Sequence, residues 1–395
     1  MTEPTLEGRE ERRTITLLIG PQHPSSGHMR FIVELDGDVM VNVTPDIGYV
    51  HRSAEKLSER KLYVQVIPVL ERPMLIDAIH ANLAYVMALE SLLGVEPPER
   101  ALYLRTVAAE LNRIASHLYG IGILGIMLGS STPYMWAFHD RELFLELLQD
   151  LSGARVTYSY VIPGGVRRDL PQGFEDKVEK AFRYLEAKLP DWEALFIKNP
   201  VVLNRTVDVG KISKEDAKRL GLVGPNLRAS GVKYDVRKAE PYAAYPELDF
   251  EIVSREEGDS CARLLVRIEE IKMSMRIVRQ ALKKIPSGPV MSERFAKYLR
   301  GPKAVALKKG IVRLPVQFIS LAPPEGEAFS RVEASRGELC VYLVSDGSLR
   351  PYRVRFVTPS LRNVIAFSHA ARGHRLADLF AIYGSLDYFP PEADR

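Results

Sequence analysis

Gly20-Pro21-Gln22-His23-Pro24-Ser25-Ser26-Gly27-His28-Met29-Arg30 places two histidines in one loop between two apolar runs. An imidazole has an unperturbed pKa of about 6.5, so it gives or takes a proton near neutral pH. Proton transfer is the chemistry this loop offers, and capping of loop backbone groups is the plain structural use of the same rings. Other self-contained chemistry lacks support. No GxGxxG follows a strand, and GxxxxGK[ST], HExxH and GxSxG do not occur. Only Cys261 and Cys340 are present, far apart and outside any CxxC, so the chain builds neither a disulfide framework nor a four-cysteine metal site. Any redox cofactor is expected to come from a partner.

These residues must be positioned by a chain of 395 residues, long enough for a large core and for two or three structural units. Its 54 Lys and Arg against 50 Asp and Glu leave a net charge of +4, spread without a dense basic stripe, which argues against a nucleic-acid partner. Two scattered cysteines fit a reducing compartment. Met1 to Arg13 is polar and charged with no apolar h-region, and no uninterrupted run of eighteen apolar residues occurs. If the protein works at a membrane, another subunit is expected to hold it there.

Thr14 to Ile19, Met29 to Leu35 and Val39 to Val43 read as short strands, with Asp36-Gly37 as a hairpin turn. From Ser53 the pattern becomes helical: Ser53 to Leu70, Pro73 to Leu93, Pro98 to Leu118 and Tyr134 to Ser152, which implies a bundle. A further helix is expected from Ser260 to Lys284, closed by Pro286-Ser287-Gly288-Pro289. Strands return at Val305 to Leu307, Val312 to Val316, Leu339 to Val344 and Tyr352 to Val357, before a last helical stretch at Leu361 to Ala371. The expected organisation is an N-terminal β domain (1–52), a helical bundle (53–200), an irregular connector (201–259), a long helix completing the bundle (260–300) and a C-terminal α+β region (301–395). Glu269-Glu270 reads as a solvated or salt-bridged helix face, Met273 to Met275 as core, and His80, His117 and His139 as structural.

A dozen collinear motifs carry a resemblance. Besides the histidine loop they include Ile47-Gly48-Tyr49-Val50-His51-Arg52, Glu110-Leu111-Asn112-Arg113, Thr132-Pro133-Tyr134-Met135-Trp136, Ser152-Gly153-Ala154-Arg155, Gly224-Pro225-Asn226-Leu227-Arg228, and Val332-Glu333-Ala334-Ser335-Arg336-Gly337-Glu338. Over nearly its whole length the chain resembles the quinone-site subunit of respiratory complex I, the D subunit of NADH-quinone oxidoreductase, a relative of the nickel-iron hydrogenase large subunit. Its departures from the usual site residues suggest an archaeal-type member. The resemblance implies an α+β fold with a small N-terminal antiparallel sheet, a central helical bundle and a C-terminal β-rich region. It also implies a quinone cavity shared with an iron-sulfur small subunit, B-like in type, that holds a 4Fe-4S cluster. Further partners would be a C-like subunit and the membrane-arm subunits, with this chain peripheral on the cytoplasmic face of the cell membrane. It would bind no cofactor alone, would act only within the complex, and would take a lipid quinone as substrate.

Residue by residue, the resemblance places His28 as the catalytic histidine at one quinone carbonyl, with His23 as second candidate. The loop here reads Ser25-Ser26-Gly27-His28 and is one residue shorter than the usual one before Arg30. The usual quinone tyrosine maps onto Leu75 and the aspartate that pairs with the histidine onto Met127; neither side chain carries a proton. Arg52 and Arg155 would lie near the partner's cluster, where a guanidinium stabilises added negative charge. The histidine that couples cluster reduction to proton uptake maps onto Thr157, which implies a potential nearly independent of pH. The hydrogenase CxxC pairs would fall near Met74 to Asp77 and Leu386-Asp387-Tyr388, where no thiolate stands, so no metal site is expected. The rival expectation is a decayed-site scaffold in a related membrane oxidoreductase, or a membrane-bound hydrogenase-type complex, using another acceptor.

Overall fold

The computed structural model describes residues 14–296 and 321–395. The strands expected at Val305 to Leu307 and Val312 to Val316 lie outside the described residues.

Three strands, β1 (Ile15–Ile19), β2 (Arg30–Asp36) and β3 (Val39–Asp46), pair antiparallel in that order. Phe31, Val33 and Leu35 alternate inward along β2, as the strand period requires, and pack with Phe367, Leu379 and Tyr383 from the C-terminal helices. The histidine loop is the β1–β2 connection. Its seat is therefore the C-terminal end of the chain.

The expected helix Ser53 to Leu70 is two helices, α1 (Ala54–Ser58) and α2 (Tyr63–Glu71). Leu62 is extended between them, and the Gln65 side chain accepts its backbone N–H at 3.1 Å, restarting the helix. Pro73 to Leu93 divides into a single turn at Leu75–Asp77 and α3 (Ala78–Leu93), which ends at Gly94 in the left-handed region. α4 (Glu99–Met127) runs nine residues past the expected end at Leu118, and α5 (Ser131–Ser152) returns beside it. The Gly120, Gly122 and Gly125 spacing lies inside α4 and makes room. A Cβ at Gly120 would stand 2.7 Å from the Asp387 carboxylate, and one at Gly122 2.9 Å from Ala137 on α5. α6 (Phe174–Trp192) packs on α5 and lies outside the expected helices, because its buried face is little more than Phe174, Val178, Ala181, Phe182 and Leu185 in a charged segment.

α7 (Ser260–Lys284) has the expected bounds; Asp259 caps it by accepting the Ala262 N–H at 2.8 Å. The two-residue strands β4 (Val161–Ile162) and β5 (Gly165–Val166) lie against α3 and α4. The C-terminal sheet is β6 (Gly326–Ala334), β7 (Gly337–Ser345) and β8 (Arg353–Val357), antiparallel in that order, with α3 packed on β6 and β7. The expected helix at Leu361 to Ala371 is two short ones, Pro359–Asn363 and Ile365–Ala371. α8 (Leu379–Leu386) and a last turn at Pro390–Asp394 follow. Leu75–Leu93 is the one stretch among the described residues long and apolar enough to cross a membrane, and most of it is buried in the core.

Candidate functional site

The histidine loop and the end of α4 meet on α8. Gly27 packs so closely that a Cβ there would stand 2.9 Å from the Tyr383 hydroxyl, and that hydroxyl donates to the Ser26 carbonyl at 3.2 Å. On the next residue, a Cβ at Gly384 would stand 2.8 Å from Met127 Sδ. His28 and Met127 thus flank one turn of one helix. His28 is exposed, sits at a φ of 71° and has no side-chain hydrogen-bond partner among the described residues. His23 is tied down: its Nδ1 accepts the Ser25 N–H at 3.2 Å and its ring stacks on Phe380 at 5.1 Å.

Glu71, a residue that no motif singles out, links the helices on either side of the Leu75 turn to the loop that carries Thr157. Glu71, at the end of α2, is buried; it accepts the Ser159 N–H at 2.6 Å, the Ser159 hydroxyl at 2.9 Å and the Asn82 amide at 2.5 Å. Burial pushes its carboxyl up to about 7 despite those donors. This clamp joins the turn carrying Leu75, which is 39% exposed, to the loop carrying Thr157 and Ser159, both at positive φ. Arg155 lies on the same loop, exposed and ion-paired to Glu142 of α5. Arg52 stands apart from these residues. Its backbone N–H donates to the Arg395 carbonyl at 3.1 Å, and its exposed side chain has no partner among the described residues. Glu55 pairs instead with Arg353 and Arg395.

Where the hydrogenase thiolates would stand, there are carboxylates around a guanidinium. Arg336, in the β6–β7 turn, is fully enclosed; it donates to Asp77 at 2.8 Å, to Asp387 at 2.9 Å and to the Ser116 hydroxyl at 3.1 Å. Burial opposes the Asp77 charge, yet His80 and Arg336 hold that carboxyl well below the usual range. Glu392, 4.0 Å from Arg336, is pushed up to about 8 by burial.

Of the expected solvated or salt-bridged face at Glu269-Glu270, the salt-bridged alternative holds, and for Glu270 it is a buried one. Glu270 is 2% exposed and accepts from His117 Nε2 at 2.9 Å and Arg228 Nε at 2.9 Å, while Glu269 pairs with Arg255 at the surface. Adjacent helix residues point about 100° apart, so one of two neighbouring glutamates can face the core. Its partners come from α4 and from the Gly224–Arg228 turn, and helical spacing alone does not reveal them. His80 and His117 are buried and structurally bonded, and Met275 is core.

The remaining feature lies where α4, α5 and the C-terminal tail meet. Arg141 of α5 lies over the rings of Tyr119 (5.7 Å) and Phe138 (5.9 Å), and Phe389 meets Tyr119 edge-on at 6.3 Å. The three rings are partly exposed. Arg141 makes no hydrogen bond or ion pair among the described residues, and its Nε is buried without a partner. The adjacent carboxylates are engaged elsewhere. Asp140 accepts the Trp192 indole N–H at 3.0 Å and Glu142 pairs with Arg155.

Fold and site define a class: an α+β protein with the nickel-iron hydrogenase large-subunit-like fold, in which a buried guanidinium, Arg336, is held by Asp77 and Asp387. Residues 127–395 match the family described as Respiratory-chain NADH dehydrogenase, 49 Kd subunit. The second D-type subunit of the NADH-quinone oxidoreductase of Rhizobium etli is 40% identical over 404 residues, covering 100% of both chains. The D subunit of the NADH-quinone oxidoreductase of Syntrophobacter fumaroxidans is 40% identical over 381 residues, 96% of each. Among solved structures, a chain of the membrane-bound sulfane sulfur reductase (MBS), an archaeal respiratory membrane complex, superposes with a TM-score of 0.88 at 38% identity, covering 98% of this chain and 100% of that one. The chain belongs to the 49 kDa subunit family of respiratory-chain NADH dehydrogenases. As in those relatives, it is one subunit of an oxidoreductase complex.

Proposed function

We propose that this chain is a peripheral-arm subunit of a complex I-like, ion-translocating oxidoreductase on the cytoplasmic face of the cell membrane. It forms one wall of a quinone cavity beside an iron-sulfur subunit, with C-like and membrane-arm partners. The observation that carries this reading is the full-length match to D-type subunits of NADH-quinone oxidoreductases at 40% identity. A 4Fe-4S cluster needs cysteine thiolates. Both thiols here are held protonated: burial raises Cys261, and it pushes Cys340 up to about 12, where the thiol donates to Glu338 at 3.3 Å. The donor set does not fit a cluster within this chain, and the cluster belongs to the partner.

When present, the cluster supplies electrons one at a time. This chain's residues orient the acceptor and deliver protons. His28 is exposed beside α8, with its imidazole engaged by no other described side chain. Leu75 and Met127 are apolar walls, so the acceptor's second polar contact comes from elsewhere. The test is quinone reduction by the assembled complex with native His28 and with His28→Ala: loss of turnover is expected, and unchanged turnover overturns the role of His28.

A second reading rests on one observation, the 38% identity and TM-score of 0.88 to a chain of a sulfane sulfur reductase. In that reading the acceptor is a sulfur species and quinone is inert. Direct comparison of quinone and polysulfide as acceptors for the purified complex separates the two.

A further inference from the structure

A left-handed φ is unfavourable for a residue with a side chain, so a non-glycine residue found there is held by its surroundings. His28 is such a residue, at a φ of 71°, and Gly27 before it has a φ of 59°. Two successive left-handed residues turn the chain between Ser26 and Met29, both buried, and leave the His28 ring exposed. The place of the imidazole therefore depends on what fixes these two flanks. Met29 sits in the apolar core that it shares with Phe31 and Phe367. Ser26 is fixed by hydrogen bonds. Its N–H and hydroxyl donate to the His23 carbonyl at 3.0 and 3.1 Å, and its carbonyl accepts the Met29 N–H and the Tyr383 hydroxyl, each at 3.2 Å. Of these four bonds, the one from Tyr383 alone ties the loop to another part of the chain.

Tyr383 is itself firmly set. Its ring is 3% exposed and meets Phe31 edge-on at 5.2 Å and Phe367 edge-on at 6.1 Å, so the hydroxyl projects from a fixed origin. Burial raises its pKa and keeps it a donor. Gly27 lies against the same oxygen, with no room for a Cβ between them. Three residues earlier on α8, and so on the same helix face, Phe380 stacks on the His23 ring with 4° between the planes. One face of α8 thus holds the loop on both sides of its turn.

We infer that Tyr383 is a positioning residue for His28: its hydroxyl holds the Ser26 carbonyl, and through it the left-handed turn that sets where the imidazole stands before the acceptor. The inference rests on the quinone reading above and deepens it. Tyr383 is enclosed, so its part is placement, and proton delivery stays with His28 or water. A bond that only places the proton donor matters most as charge builds on the acceptor's oxygen, so its loss falls on kcat and spares KM. Tyr383→Phe isolates that bond. It keeps the ring and its packing, and the Ser26 carbonyl retains the Met29 N–H, so no enclosed group is left unpaired.

The test uses the assembled complex and a water-soluble short-chain naphthoquinone, with kcat and KM measured separately and amide hydrogen exchange read on the peptide from Gln22 to Met29. Tyr383→Phe is expected to lower kcat about fivefold or more, to leave KM within about twofold and to speed exchange in that peptide. If the native complex reduces the probe, His28→Ala loses turnover and Tyr383→Phe keeps native kcat, the positioning role is overturned and the quinone reading stands. Unchanged exchange in the peptide, or a loss confined to KM, overturns the role equally. If Tyr383→Phe does not assemble, Gly27→Ala replaces it: a methyl group there would stand 2.9 Å from the hydroxyl and pushes the loop away from it. The same fall in kcat is then expected, and native kcat overturns the role. If His28→Ala matches native, the role falls with that of His28, and quinone remains the acceptor. If the native complex does not reduce the probe, the quinone reading and the positioning role fall together.

Discussion

Asp77 and Asp387 are held on two prongs of one buried guanidinium, at 2.8 and 2.9 Å from Arg336. The contact ties the turn before α3, the β6–β7 hairpin and the tail after α8 into one unit. Two buried anions are thus neutralised from within the chain.

Removing Arg336 should therefore be severe. Arg336→Met leaves Asp77 facing only His80 and Asp387 only the more distant Arg267 at 3.6 Å, and breaking a buried pair this way costs about 3–5 kcal/mol. The loss is expected to deepen as pH rises from 5 to 8, because burial opposes the Asp77 charge and the guanidinium that offsets it is gone. Chemical denaturation at two pH values measures it, and a loss under about 1 kcal/mol would show that the network is not structural.

Glu71 gives a pH dependence of opposite sign to ordinary acid denaturation. Its folded-state pKa of about 7 lies above the unfolded value of 4.5. Its contribution is fully present below pH 4.5 and is lost as pH rises through 7, by up to about 3 kcal/mol. Glu71→Gln removes that titration. The Asn82 Oδ1, which has no partner among the described residues, can turn to accept the new amide. The variant is expected to gain stability relative to native as pH goes from 5 to 8, and parallel denaturation curves would rule out a buried titration.

How much of the fold is readable in the sequence varies with the range of the interaction. α7 is legible to the residue because apolar spacing, the Asp259 cap and the closing prolines all act locally. β6 is not, because its inward positions include the small or polar Ala328 and Ser330 while Phe329 faces out, and Glu333, a charged residue, is buried only because Arg228 reaches it from elsewhere. The site shows the same division. The histidine loop announces itself by composition. Glu71, Arg141 and Arg336 look like surface charges until segments from other parts of the chain enclose them. For Arg141 the one available signal is its place in a run with Tyr134 and Phe138, an aromatic stripe at helical spacing.

Arg155 tests proximity to the cluster without disturbing the fold. Its pair with Glu142 is at the surface, with side chains 53% and 36% exposed. Solvent-screened pairs of this kind are worth about 0.2–1 kcal/mol. Arg155→Ala should leave the melting temperature nearly unchanged and lower the potential of the partner's cluster, since a cation that favours the reduced state is removed. Redox titration of the complex reads this directly. An unaltered potential would place Arg155 away from the cluster.

Thr157 combines backbone strain with a missing proton carrier. It is β-branched and sits at a φ of 56°, a left-handed conformation that costs an ordinary L-residue roughly 1–2 kcal/mol. Histidine tolerates that region better, so Thr157→His should fold at least as stably as native. It also places a group titrating near pH 6.5 on the loop clamped by Glu71. With threonine, the hydroxyl stays neutral in both redox states, and this position adds no slope to the cluster's potential near neutrality. With histidine, reduction draws a proton onto the ring, and the potential should fall with pH at up to about 59 mV per unit. Equal slopes in native and variant complexes would mean that the Thr157 loop does not face the cluster, and the assignment of this wall would have to be withdrawn.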